Sequence, residues 1–299
     1  MNLLVYILVY PLIIGISLLP FRILYFFSDL IFYLLYYIIG YRKKVVMKNL
    51  TLSFPEKSEQ ELMIIQRKFY RHFVDVFIEM IKTFTMSKKQ IRKRYKFKNF
   101  DLVSKLAEKK GIVLLGSHYA NWEWVVSFCM YTKVPSYGVF TPISNKYFND
   151  FITKSRERFG GYLIPGKKLI PKIISDQKAG INGFYGLLSD QSPQLKKTFY
   201  WAPFMGVKVP VHTGAEMLSK RFDLATVFLD VKKIKRGYYE ATFELVCEDA
   251  TNMKNFELTD RFLARVEKQI REAPEFYFWT HNRFKHKDAS QVLRGTSNN

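Results

Sequence analysis

The chain begins with an apolar segment that restricts its possible folds more than any other feature. Asn2 is the only strongly polar residue before Arg22. Residues 3–19 and residues 21–40 form two apolar runs, each close to the ~20 residues that a membrane-spanning helix requires. Aromatic residues and then a basic triplet end the second run, which is typical of the cytoplasmic edge of a membrane. We therefore predict a membrane anchor at residues 1–44.

Two other interpretations of this segment are weaker. A cleaved signal peptide would carry basic residues before the apolar run and small residues at a cleavage site, and the sequence has neither. A pair of buried core helices is the second alternative. The sequence leaves open whether the anchor is a single span, a hairpin or a half-inserted helix.

The net charge points to an acidic partner. Lys and Arg number 47 against 26 Asp and Glu, which gives a formal charge of +21. Nucleic acid, an anionic membrane surface and an acidic carrier protein would all complement this charge. The apolar segment favours the membrane surface among them. The two cysteines, Cys129 and Cys247, exclude a disulfide scaffold and a cysteine-rich zinc site.

The segment after the anchor is predicted to be helical from residue 48 to about residue 98. Apolar residues recur there at intervals of three and four, and Ser58 with Glu61 forms a plausible capping box. Residues 82–98 hold many basic and no acidic side chains. This run is either a solvated face or a patch for phosphate headgroups or an acidic carrier.

After Gly111, short apolar runs alternate with longer amphipathic ones, which predicts βαβ units. The expected fold class is α/β, a mixed and mostly parallel sheet flanked by helices, with its chemistry at the carboxyl ends of strands. We assign this domain to residues 45–286 and a polar tail to residues 287–299. The predicted strands are 112–115, 137–140, 184–188, 225–229 and 241–246, and the predicted helices are 122–131, 147–159, 168–178, 213–222 and 259–272.

The best candidate for a catalytic pair is His118 with Glu123. A buried strand run ends at Gly116, so His118 follows a strand's carboxyl end and Glu123 falls in the first turns of the next helix. A carboxylate bound to one ring nitrogen raises the basicity of the other, which makes the histidine a general base for a hydroxyl nucleophile.

Other motifs are incomplete. Residues 161–168 resemble a phosphate-binding loop, but Lys168 stands where a Ser or Thr would hold magnesium. No Gly-x-Ser-x-Gly elbow is present, which argues against a serine hydrolase. His281 and His286 have no carboxylate at metal-site spacing, so we expect no metal.

Several ordered blocks resemble the bacterial lipid A late acyltransferases, the lauroyl/myristoyl transferases within the lysophospholipid acyltransferase superfamily. The central block matches the family's His-x-x-x-x-Asp/Glu motif, and together the blocks extend from the apolar N-terminus to about Lys287. The blocks are Asn49-Leu50 with Ser53-Phe54-Pro55-Glu56; His118-Tyr119-Ala120-Asn121-Trp122-Glu123; Arg156-Glu157-Arg158-Phe159-Gly160; Ser189-Asp190-Gln191-Ser192-Pro193 with Pro203-Phe204-Met205-Gly206; and Trp279-Thr280-His281-Asn282-Arg283-Phe284-Lys285.

This resemblance implies transfer of a fatty acyl chain from acyl carrier protein, or less often coenzyme A, to a hydroxyl of a lipid A precursor or a related glycolipid or aminolipid. It implies an enzyme of the bacterial inner membrane, with the catalytic domain on the cytoplasmic side and no cofactor beyond the thioester co-substrate. Many relatives carry Tyr-Arg-Pro where this chain has Phe140-Thr141-Pro142. By the resemblance His118 is the general base and Glu123 its partner, and the substrate-binding residues are Arg156, Arg158, Asp190 and Asn121.

Two alternative functions remain at this point. A lipid hydrolase would use the same His and Glu to activate water. A basic nucleic-acid-binding protein would need aromatic side chains interleaved with the basic residues, and the run at 82–98 has few. We therefore expect lipid and carrier partners and no nucleic acid.

Overall fold

The computed structural model describes residues 2–289, apart from the side chains of residues 2 and 4. Nine strands are found there. They are β1 (Tyr95–Lys98), β2 (Ile112–Gly116), β3 (Ser136–Phe140), β4 (Tyr162–Pro165), β5 (Phe184–Leu188), β6 (Tyr200–Phe204), β7 (Val207–Val211), β8 (Ala225–Lys235) and β9 (Tyr238–Cys247).

Ten α-helices surround the strands in this part of the chain. They are α1 (Asn2–Leu18), α2 (Phe21–Tyr33), α3 (Lys43–Ser53), α4 (Glu59–Thr83), α5 (Lys88–Arg94), α6 (Phe100–Lys109), α7 (Lys146–Glu157), α8 (Gly166–Lys178), α9 (Gly214–Phe222) and α10 (Glu257–Glu272). A π-helical segment, Leu34–Ile39, continues α2, and 3-10 helices lie at Trp124–Tyr131, Leu195–Lys197 and Pro274–Phe276.

Seven of the strands form one sheet in the order β1-β9-β8-β2-β5-β3-β4. All neighbouring pairs are parallel except β8 and β9, which form an antiparallel pair. β6 and β7 form a separate antiparallel hairpin. The predicted mixed and mostly parallel sheet flanked by helices is therefore confirmed.

The central strands follow from their composition. β2 consists of Ile112-Val113-Leu114-Leu115-Gly116, and its four aliphatic side chains are all buried. A strand covered on both faces needs such a continuous apolar run, because helices pack against each side of a parallel sheet. β2 pairs with β8 on one side and β5 on the other, so its carboxyl end lies in the middle of the sheet edge.

The long helix α4 has the start that its sequence predicts. The Ser58 hydroxyl accepts a hydrogen bond from the Glu61 backbone N–H, and the Glu61 carboxylate accepts one from the Ser58 backbone N–H. This capping box satisfies two amide donors that the first helical turn leaves unpaired.

The N-terminal helices lie along the rest of the fold. Phe21–Ile39 is long and apolar enough to cross a membrane by length and composition. Its inner face packs on α4, and many large apolar side chains of its outer face are exposed. α1 packs on α4 and α7 and is likewise exposed on its outer face.

The structure differs from the sequence prediction at short elements. Residues 95–98 are the edge strand β1 and not the end of a helix, because buried Tyr95 and partly buried Phe97 alternate with two lysines. Residues 124–131 form a 3-10 helix where we expected an α-helix, and β4 and the β6–β7 hairpin were not predicted. Of the expected tail at 287–299, residues 290–299 lie outside the described residues.

Candidate active site

Two neighbouring strands bring His118 and Asp190 together. Gly116 ends β2, Leu188 ends β5, and these two residues are paired in the parallel register. His118 and Asp190 each follow two positions later, so both loops meet at the carboxyl edge of the sheet. The Nδ1 atom of His118 lies 2.8 Å from Oδ1 of Asp190, and the backbone N–H of His118 donates to the same oxygen at 3.1 Å.

The electrostatics of this pair favour its charged form. Burial alone would lower the pKa of His118, but the charge and hydrogen bond of Asp190, with a further contribution from Glu123, raise it above its ordinary value. Burial alone would raise the pKa of Asp190, and the charge and hydrogen bonds of His118 lower it below its usual range. An ionised carboxylate only accepts hydrogen bonds, so Nδ1 carries the proton and Nε2 is the basic nitrogen.

The expected pairing of His118 with Glu123 is corrected by this geometry, because the hydrogen-bond partner of the ring is Asp190. Glu123 accepts a forked hydrogen bond from Arg156 of α7 instead. The Arg156 Nε atom lies 3.1 Å from Oε2, and its Nη2 atom lies 2.8 Å from Oε1. Glu123 therefore influences His118 through its charge.

A buried network holds the loop that carries His118. Asn121 is fully buried; its amide donates to Glu79 of α4 at 2.6 Å, and its carbonyl accepts from the Trp124 backbone N–H at 2.9 Å. Glu79 also accepts hydrogen bonds from Tyr25 of α2 and Tyr239 of β9. We therefore revise the expectation for Asn121 from substrate contact to support of the loop.

The same loop contains an uncommon backbone conformation at Ala120, and hydrogen bonds to neighbouring segments hold it in place. Ala120 adopts a positive φ of 49°, which is uncommon for a residue with a Cβ atom. Its N–H donates to the carbonyl of Phe276, and its own carbonyl lies 3.3 Å from Nε2 of buried His72. Burial and the charge of Lys233 hold the pKa of His72 well below its ordinary value, so a neutral ring donates to this carbonyl.

Arg158 also has a supporting position. Its guanidinium donates to the carbonyl oxygens of Thr83 and Phe84, at 3.1 and 2.6 Å, where α4 ends. A cation at this end complements the helix dipole and satisfies carbonyls that lack helical partners. We therefore revise our expectation for Arg158 from phosphate or carrier binding to attachment of α7 to α4.

A pocket of about 1020 Å³ opens beside His118. Ligand sites commonly measure about 300–1,000 Å³, so this one is large. His118, Glu123 and Arg156 share its wall with Gly116 and Ser117. Much of the lining is apolar and includes Val125, Val126, Phe128, Leu169 and Ile170. Asn121, Arg158 and Asp190 are not part of the lining.

Two polar residues near the site were missed in the sequence. His212 follows β7 and lines the pocket, and its pKa is lowered by burial and by the charge of Arg283. Glu79 is an acidic residue on a buried helix face, and the sequence pattern alone could have identified it as unusual. Within residues 2–289, no group of three or more His, Cys, Asp or Glu side chains could hold a metal ion.

Comparisons with known proteins identify the family to which this chain is similar. Residues 2–286 match the family described as bacterial lipid A biosynthesis acyltransferase. The lipid A biosynthesis lauroyltransferase of Escherichia coli (strain K12) is 27% identical over 251 residues, which cover 82% of this chain and 79% of the relative. The palmitoleoyltransferase of the same pathway and strain is 22% identical over 253 residues, with the same coverage.

A third relative is the lipid A biosynthesis acyltransferase of Haemophilus influenzae (strain ATCC 51907 / DSM 11121 / KW20 / Rd). It is 24% identical over 247 residues, which cover 82% of this chain and 78% of the relative. The family match covers almost the entire chain and includes both strands and both loops that form the His118–Asp190 pair. The chain therefore belongs to the bacterial lipid A biosynthesis acyltransferases and is an acyltransferase.

Proposed function

We propose that this enzyme transfers a fatty acyl chain from a thioester, carried by acyl carrier protein or coenzyme A, to a hydroxyl of a lipid A precursor. The observation that carries the proposal is the position of His118. Its ring lines a large, partly apolar pocket and is hydrogen-bonded through Nδ1 to buried Asp190. A neutral imidazole held in this tautomer can accept a proton at Nε2.

The proposed reaction has two steps. Nε2 of His118 takes the proton of the acceptor hydroxyl while the hydroxyl oxygen attacks the thioester carbonyl carbon. The tetrahedral intermediate then collapses, the C–S bond breaks, and the proton passes from His118 to the leaving thiolate. Asp190 stabilises the imidazolium between the two steps and keeps its own charge, as the orienting acid of a catalytic triad does.

The pocket supplies the other requirements of this chemistry. Its apolar lining suits an acyl chain, for which each buried methylene contributes about 0.8 kcal/mol. Backbone N–H groups near Gly116 and Ser117 are the candidates for oxyanion donors. A thioester is already activated, so the transfer requires no metal and no further cofactor.

Arg156 is the candidate for phosphate recognition. Glu123 fixes its guanidinium in the pocket wall, and the side chain keeps 25% of its surface exposed. A guanidinium held in this way can bind a phosphate of the acceptor or of the donor's prosthetic group through paired hydrogen bonds. Thr141 also lines the pocket and cannot form such a pair.

The proposed setting is the cytoplasmic side of the bacterial inner membrane. The outer faces of α1 and α2 are apolar, and the protein carries a charge of +21. Such a surface suits anionic lipids, and the same charge would attract an acidic acyl carrier protein.

Lipid mass spectrometry of cells with and without the gene would test the function. We expect a lipid heavier by one acyl group, which disappears on deletion and returns with the wild-type gene. The His118→Ala variant should not restore it, although the protein is present in membranes. The exposed Lys105→Ala variant is the matched control and should restore it in full.

Two outcomes would contradict the proposal. An unchanged lipid profile on deletion would exclude acyl transfer to a lipid under these conditions of growth. Release of free fatty acid by the purified enzyme, without an acylated lipid product, would instead support a hydrolase that uses His118 to activate water.

A further inference from the structure

The two N-terminal helices bind the catalytic domain along their whole length. Residues 25, 28 and 36 of the α2 segment contact residues 79, 75 and 66 of α4, in that order. The steadily decreasing α4 numbers show that the two helices run antiparallel and side by side. The segment Phe21–Ile39 therefore has one face on protein from its start to its end.

The middle of α2 is attached through charged groups. Asp29 accepts two hydrogen bonds from Arg236, at 2.9 and 3.0 Å, and lies 3.5 Å from Nε of Arg71. Arg236 also donates to Asp75 of α4 at 2.6 Å. These contacts lie halfway along the apolar segment, where a membrane-spanning helix would pass through the centre of the bilayer.

The turn between α1 and α2 is attached as well. The Lys82 ammonium group, at the end of α4, donates to the carbonyls of Ser17 and Leu19 at 2.8 and 3.0 Å. At the other end of α1, Tyr6 stacks on Tyr147 of α7 with the ring centroids 5.6 Å apart. The turn of a membrane hairpin would lie on the far side of the bilayer, whereas this turn lies on the catalytic domain.

If α2 crossed the membrane, its contacts with α4 would either break or enter the hydrocarbon core of the bilayer. If α2 kept its contacts, α4 would enter the bilayer with Asp75, Glu79 and Arg71. If α2 left α4, Asp29 would enter the bilayer without Arg236, and Arg236 would keep only part of its hydrogen bonds. Ionised side chains at the centre of a bilayer are strongly unfavourable in either case.

We propose that α1 and α2 lie flat in the plane of the membrane surface and attach the enzyme to a single leaflet. This inference rests on the membrane attachment proposed above. The outer face of the α2 segment is apolar along its length, with exposed tyrosines at 33 and 37 that suit the interface. Exposed basic residues flank it at both ends and along its side: Arg22, Lys44, Arg67 and Arg71.

The basic residues beside α2 indicate which kind of surface binds its outer face. Arg71 is 53% exposed beside Asp29 and Phe32 of α2, and Arg67 is exposed near Tyr36. Basic side chains that follow the length of an amphipathic helix lie at the level of anionic headgroups when the helix is parallel to the surface. A leaflet containing anionic phospholipid complements both the apolar face and its basic border.

This orientation also places the pocket at the lipid surface. α1 contacts α7 through Tyr6 and Tyr10, which meet Tyr147, Phe148 and Phe151. The opposite side of α7 contributes Asn149, Ile152 and Arg156 to the pocket wall. A lipid acceptor could then reach His118 from the leaflet without crossing bulk water.

Depth measurements with spin labels would test the orientation. Single cysteines would replace Ile23, Leu30 and Ile38 in the full-length enzyme with Cys129→Ser and Cys247→Ser, in vesicles of phosphatidylethanolamine and phosphatidylglycerol. We expect three labels at the same shallow depth, because these positions lie along one exposed face. The Ser104→Cys variant on the exposed face of α6 is the matched control and should report water.

The alternatives give different results. A deep label at position 30 with shallow labels at positions 23 and 38 would show a membrane span and overturn the inference. Spin–spin broadening without contact to lipid would show that a second copy of the chain covers this face, and would overturn it as well. Failure of the protein to bind vesicles would overturn membrane attachment itself, while acyl transfer from solution would still be measurable separately.

Discussion

At the level of single residues, the two carboxylates near His118 have different tasks. Asp190 is hydrogen-bonded to the ring of His118. Glu123 is hydrogen-bonded to Arg156 instead and affects His118 through its charge over a longer distance. Both negative charges raise the pKa of His118, and Asp190 contributes more. The two positions can therefore be distinguished by the pH dependence of the reaction as well as by its rate.

We predict that Asp190→Asn lowers the rate of acyl transfer by about 10²–10⁴-fold. A general base must be neutral, so activity falls on the acid side as His118 becomes protonated. Because the charge of Asp190 raises the pKa of His118, its removal should move this acid limb to lower pH. The pH–rate profile of the purified enzyme measures the shift.

Glu123→Gln is the informative comparison for that experiment. It should move the acid limb in the same direction by a smaller amount, because Glu123 has no hydrogen bond to the ring and ranks below Asp190 among the groups that raise its pKa. A larger shift for Glu123→Gln than for Asp190→Asn would contradict the assignment of Asp190 as the partner of His118.

Asp190 is the partner of His118 that the spacing of residues in the sequence did not predict. His118 was identified from a motif of neighbouring residues and a strand end. Its partner was expected five residues away, but lies 72 positions along the chain, where only the pairing of β2 with β5 brings it close. Spacing within a loop cannot reveal a contact that depends on the order of strands in a sheet.

At the level of elements, adjacent strands form the base of the pocket. Leu114 pairs with Gly186, Gly186 with Gly138, and Gly138 with Leu163. Laterally paired residues point to the same face of a sheet, and all four line the pocket. The two central positions have no side chain, so the base of the pocket is open where an acyl chain would lie.

We predict that Gly186→Leu shifts the enzyme towards shorter acyl donors. A Cβ atom at this position would meet only backbone atoms, the nearest at 3.5 Å, so the strand can accept a side chain that projects into the pocket. Each methylene that loses its place should cost about fourfold in kcat/KM. Activities with a series of acyl chain lengths measure this, and Gly186→Ala should give a smaller shift.

An unchanged chain-length preference in Gly186→Leu, with activity retained, would show that the acyl chain lies elsewhere.

The sequence predicts some of the helices and strands and does not predict others. The central strands carry continuous apolar runs and the long helices carry periodic patterns, whereas β1 and β4 are four-residue edge strands whose pairing depends on neighbours distant in sequence.

At the level of the whole molecule, Glu79 joins three parts of the fold. Its carboxylate receives hydrogen bonds from α2, from the loop that holds His118 and from β9. We predict that Glu79→Gln lowers the free energy of unfolding by about 1–3 kcal/mol, because the NH2 group of the new side chain replaces one carboxylate oxygen and cannot accept the hydrogen bond that this oxygen received. Unfolding by denaturant measures the loss, and the exposed Glu56→Gln variant should leave stability unchanged.

The net charge gives a second prediction at this scale. Binding to vesicles that contain anionic phospholipid should weaken as salt increases, because the Debye length falls from about 10 Å at 0.1 M to about 3 Å at 1 M. Binding to vesicles of zwitterionic lipid should depend little on salt, since it relies on the apolar faces of α1 and α2. Sedimentation of the protein with each type of vesicle measures both. Equal salt dependence in the two cases would assign the charge of +21 to another partner.

The contact between α1 and α7 has a thermodynamic consequence. One side of α7 packs on α1, which we propose faces the membrane, and its other side lines the pocket. The lipid surface and the substrate would therefore both act on α7. If the lipid surface stabilises the position of α7 that binds substrate, reciprocity requires that substrate tighten the hold of the enzyme on that surface by the same factor. An enzyme with bound acceptor would then dissociate from the membrane more slowly than an enzyme without it. The lifetime of the membrane-bound enzyme would therefore increase with substrate occupancy.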